Sequence, residues 1–74
     1  MLMQHPSSDF RLAKRFSIAH YNLSCCAALM NEKEEMLEWL RKAIAIKPGW
    51  RDFAKGDKDF AAYWTDSDWR ELVY

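Results

Sequence analysis

A shortage of strand-forming residues constrains this chain more than any other feature. Val73 is the only valine, Thr65 the only threonine, and three isoleucines complete the β-branched set. Sheets draw on such residues, because branched side chains pack well on a pleated surface. Chain breakers are equally scarce: two glycines and two prolines, with Pro48 and Gly49 adjacent. Few strand formers and few breakers predict an all-α fold.

Length bounds the rest. Seventy-four residues allow one small domain, and a chain this short gains only a few kcal/mol from one core. Half of the residues are hydrophobic and 15% are aromatic, too many for a charged disordered tail. Eleven basic residues balance eleven acidic ones, so the chain lacks the basic excess of a nucleic-acid binder. No stretch reaches the about 20 apolar residues of a membrane span. The start, Met1 to Pro6, has no basic leader before an apolar core, so no secretory signal is expected. Cys25 and Cys26 are helix neighbours pointing about 100° apart. They are expected to be free thiols in a reducing compartment, which places the protein in the cytoplasm. With no disulfide available, the chain is expected to gain stability by packing against a partner or a second copy.

The first helix is expected over residues 8–30, with Ser7 or Ser8 as its cap. Leu12, Phe16, Ala19, Leu23, Cys26 and Met30 recur at three- and four-residue steps and form one apolar face. Ile18, Tyr21, Cys25, Ala28 and Leu29 form a second stripe beside it. A helix apolar on more than one side expects neighbours on two faces: the next helix on one, another molecule on the other. Asn31 to Glu34 reads as a turn with a capping box. A second helix over residues 33–46 carries Met36, Leu37, Leu40, Ala43 and Ile44 inward and ends at Pro48-Gly49. So short a turn makes the pair antiparallel. Residues 49–74 hold Trp50, Phe53, Phe60, Tyr63, Trp64 and Trp69. They read as three short capping helices, with Asp57 and either Thr65 or Asp66 as N-caps. Their aromatics are expected to close the open end of the hairpin's core.

The run His20-x2-Leu23-Ser24-x2-Ala27, then Met36-x3-Leu40, Ala43 and Pro48, together with Tyr21-Asn22-Leu23, resembles one tetratricopeptide repeat. The match spans Ser17 to Pro48 without a gap. In that family, small residues such as Ser24 and Ala43 let the helices approach, and Leu23 and Leu40 fill between them. His20, Ala27 and Met36 depart from the pattern, and Met36 in place of a small residue widens the expected approach. The tail, from Gly49-Trp50 to Asp66-x2-Trp69-x2-Leu72, is similar to the closing segment after the last repeat of bacterial arrays. That implies a capping role, since terminal units need a different outer face.

The resemblance implies a protein-interaction module that binds a peptide or helical partner on its first helix. Carried over by position, the partner-binding candidates are Ile18, Tyr21, Asn22, Cys25 and Leu29. The alternative is a homodimeric or capping piece used for assembly, without a peptide groove. No enzyme, cofactor, metal or small-molecule substrate is expected. Asp57/Asp59 and Asp66/Asp68 lack the ligand spacing of a cation loop. His20 and Ser24 make no defensible catalytic pair, and two glycines build no phosphate loop. Arg11, Lys14 and Arg15 read as a solvated helix end.

Overall fold

The computed structural model describes the backbone from Pro6 to Tyr74 and the side chains from Arg15 onward. Among these residues every regular element is helical: α1 (Pro6–Leu29), α2 (Lys33–Ile46), α3 (Trp50–Lys55), a 3-10 helix (Lys58–Tyr63) and α4 (Ser67–Val73). The fold is the antiparallel helical hairpin with short closing helices that the composition predicts. The side chains of Leu12, Arg11 and Lys14, and the whole of Met1 to His5, lie outside the described residues. Helix α1 starts at Pro6, so Ser7 and Ser8 sit inside it rather than ahead of it. Proline suits a first helical position because its fixed φ is already helical and no amide is wasted there.

The turn between the long helices is a Schellman motif, not a capping box. Asn31 adopts φ 61°, the left-handed conformation that a short polar side chain tolerates. The Glu32 amide reaches back to the Ala27 carbonyl at 2.8 Å, and the Asn31 amide to Ala28 at 3.1 Å. Asn31 therefore finishes α1 instead of starting α2. The N-cap of α2 is Glu32, which makes no side-chain capping bond.

Five α2 residues, Met36, Leu37, Leu40, Ala43 and Ile44, are buried, as their spacing predicts. They face a side of α1 made of Ser17, Tyr21, Ser24, Cys25, Ala27 and Ala28. Ser24 holds the pair together: its buried hydroxyl donates a 2.7 Å bond to the Met36 carbonyl. Met36 itself is fully buried, so the larger residue is absorbed. Leu23 does not fill between the helices; it lies 44% exposed on the far side of α1.

The tail folds back over the hairpin. Asp57 caps the 3-10 helix by accepting from the Asp59 amide at 3.0 Å. Asp66 caps α4 by accepting from the Trp69 amide at 3.0 Å. These elements bring Phe60, Trp69 and Val73 fully inside. Burying side chains of this size, at about 1.5–3 kcal/mol each, supplies much of a small domain's stabilisation. Lys33 at the start of α2 lies 2.9 Å from both Asp66 and Asp68, tying the hairpin turn to α4.

Candidate functional site

The five sequence candidates separate into two groups. Tyr21 and Cys25 turn inward and are buried; Ile18, Asn22 and Leu29 face outward and are exposed. Tyr21 is the centre of an aromatic cluster. Its ring stacks on Trp50 at 4.2 Å, meets Phe53 at 5.5 Å and meets Phe60 edge-on at 5.8 Å. The tail thus occupies the side of α1 on which Tyr21 and Cys25 lie, and neither residue offers a surface.

Below that cluster lies the one place among the described residues where metal-type ligands converge. Cys25, Asp57 and Asp59 bring one ligand atom each within 4.8 Å of the others. Their chemistry is already accounted for. Tyr21 donates to Asp57 Oδ2 at 2.7 Å, the Cys25 thiol points to the same oxygen at 3.8 Å, and Oδ1 takes the Asp59 amide. Burial, with the Asp57 and Asp59 carboxylates adding to it, pushes the Cys25 thiol up to about 12. Burial and the Asp57 bond hold the Tyr21 phenol above its usual range as well. Both groups stay protonated, as donors to a carboxylate, so the cluster acts as a hydrogen-bonded joint between α1 and the 3-10 helix.

The outward face of α1 is different in kind. From Phe16 to Met30 the helix contains no Asp, Glu, Lys or Arg, whereas α2 carries six among its 14 residues. Phe16 is 55% exposed, Leu23 44% and Met30 67%, with Ala19 and Cys26 also on the surface between them. Leu29, 64% exposed, and Ile18 flank this strip together with Asn22. Single exposed apolar residues are ordinary, whereas a contiguous uncharged strip on a small domain is not. The three- and four-residue stripe read from the sequence is this outer strip. The inner stripe, Ser17-Tyr21-Ser24-Ala28, has the same helical period but hides it behind two serines. The exposed residues Phe16, Leu23, Cys26 and Met30 were therefore visible as a stripe, but with nothing to say which way it faced.

No family model, curated protein or solved structure matches the chain. No helix among the described residues is long and apolar enough to cross a membrane.

Proposed function

We propose that this protein is a tetratricopeptide-like interaction module that takes a helical partner along the outward face of α1. The uncharged, exposed strip of Phe16, Leu23 and Met30, flanked by Ile18, Asn22 and Leu29, carries this reading. Its apolar side chains supply contact area, and Asn22 supplies the polar contact that fixes orientation. The hairpin and its closing helices act as a scaffold that holds α1 straight and keeps its inner side occupied. The free thiols of Cys25 and Cys26 support a reducing, cytoplasmic setting. The function is binding, without a catalytic step, a cofactor or a nucleic-acid partner.

A photo-cross-linking amino acid placed at Leu23, and separately at exposed Ala45 on α2, tests the reading in the intact cell. Protein adducts from position 23 and none from position 45 are expected. Absence of adducts at 23, or equal capture from both positions, would contradict it.

A further inference from the structure

The outward strip repeats every seven residues. Phe16, Leu23 and Met30 are seven apart, and Ala19 and Cys26, also seven apart, fall three residues after the first two. From Phe16 to Met30, in heptad terms, the large residues occupy a and the small ones d; the seven-residue spacing also reaches back to Leu12 in the sequence, a large residue at d. Alternating three- and four-residue steps are the pattern by which one helix lies along another at a shallow angle, knobs into holes. An extended peptide or a globular surface does not require it. Because the inner side of α1 is filled by α2 and the tail, the seam is open for a helix from outside.

Charge and size then narrow the occupant. A seam with no charge from Phe16 to Met30 offers nothing to hold an acidic or basic helix in register, and it suits an equally uncharged one. A second copy of α1 is such a helix. The order of residue sizes selects its direction. Parallel pairing would set Phe16 on Phe16, Leu23 on Leu23, Ala19 on Ala19 and Cys26 on Cys26, giving layers alternately too full and too empty. Antiparallel pairing sets Phe16 against Cys26 and Leu23 against Ala19, so each of the four central layers joins one large and one small side chain. The same register brings the two Asn22 residues together across the two-fold axis, where one amide donates to the other. It also lays the aliphatic stem of Arg15 over exposed Leu29. Such an interface is self-complementary, as a closed two-fold dimer requires.

We propose that the partner on this face is a second copy of the chain, docked antiparallel through the seam Phe16-Ala19-Leu23-Cys26-Met30 with Asn22 at the two-fold axis. This rests on the docking face proposed above and adds its occupant and register.

Sedimentation equilibrium on the full chain tests the pairing. The wild type is expected at twice the 8.8 kDa chain mass at tens of micromolar. Leu23→Lys and Phe16→Glu, both at exposed positions, are expected at the single-chain mass with unchanged helical circular dichroism. Oxidative cross-linking tests the direction. Asn22→Cys in a Cys26→Ser background is expected to form a disulfide dimer readily. Wild-type Cys26 is expected not to, since its counterpart lies ten residues along the facing helix, about 15 Å away. A wild-type monomer up to millimolar concentration overturns the proposal, while leaving adducts to a different protein from position 23 as evidence for the docking face alone. A dimer that survives Leu23→Lys also overturns it. So does a dimer that oxidises through Cys26 and not through position 22, which would mean parallel pairing.

Discussion

The Tyr21 hydroxyl donates a 2.7 Å hydrogen bond to Asp57 Oδ2, across 36 residues of sequence, and this bond fixes which side of α1 the tail covers. Asp57 is also the N-cap of the 3-10 helix. One carboxylate therefore starts an element of the tail and attaches it to the hairpin. Tyr21→Phe keeps the ring stack on Trp50 and removes only the bond to a charged acceptor. It is expected to lower stability by about 1–2 kcal/mol. Tyr21→Ala also removes the ring from the cluster and is expected to lower it by about 3–5 kcal/mol. Urea unfolding followed by tryptophan fluorescence measures both. Equal losses for the two variants would show that the hydroxyl, not the ring, dominates.

Cys25 gives the fold a pH dependence on the alkaline side. Its thiol titrates near 9 when unexceptional and is pushed up to about 12 in the folded chain. The folded state therefore keeps a proton that the unfolded state releases. Stability from this group is fully present below pH 9 and is lost progressively as pH rises from 9 toward 12. Urea midpoints at pH 8 and pH 10 should fall for the wild type. Cys25→Ser, which can still donate to Asp57 but does not titrate there, should reduce the difference, the remainder coming from the raised Tyr21 phenol.

At the turn, the positive φ of Asn31 makes the outcome depend on the replacement. Asn31→Gly is expected to be neutral or slightly stabilising. Asn31→Ala keeps a Cβ in the left-handed region but loses the short polar side chain that tolerates it, and is expected to cost about 1 kcal/mol. Thermal denaturation of the pair measures this. A harmless alanine would mean that the turn does not need this conformation.

Ser24 sits where the two long helices touch, so its size and its hydroxyl matter separately. Ser24→Ala leaves the Met36 carbonyl without its extra donor and is expected to cost about 1 kcal/mol. Ser24→Leu overfills the contact and is expected to cost about 1–3 kcal/mol beyond that, or to splay the hairpin. Chemical denaturation compares the two, and loss of cooperativity in the larger variant is the sign of splaying.

The helical class was legible from the scarcity of Val, Thr and Gly, and the α2 face from its five apolar residues at helical spacing. The caps at Asp57 and Asp66 were legible because Asp before a short apolar run has few other uses. The orientation of α1 was not. Both sides of that helix repeat with the same period, and the inner one is built partly from Ser17 and Ser24. Hydrophobicity therefore favoured the wrong side for Leu23 and left Tyr21 and Cys25 ambiguous. Only the closing aromatics decide it, because Trp50, Phe53 and Phe60 gather on Tyr21 through contacts that span 29 to 39 residues. Long-range choices of this kind leave no local trace. Asn31 was misplaced for a related reason, since an Asn followed by acidic residues suits a helix start as well as it suits a helix end.

Cys26 lies in the middle of the exposed strip and its neighbour Cys25 is buried, which makes the pair a built-in probe and control. The most direct measurement is the rate of maleimide labelling at Cys26 in the living cell, set against the purified chain diluted to nanomolar concentration. If the outward face of α1 is a docking face, Cys26 should react at least tenfold more slowly in the cell while Cys25 stays unreactive in both. Labelling of Cys26 at the same rate in both settings would contradict a docked partner on this face.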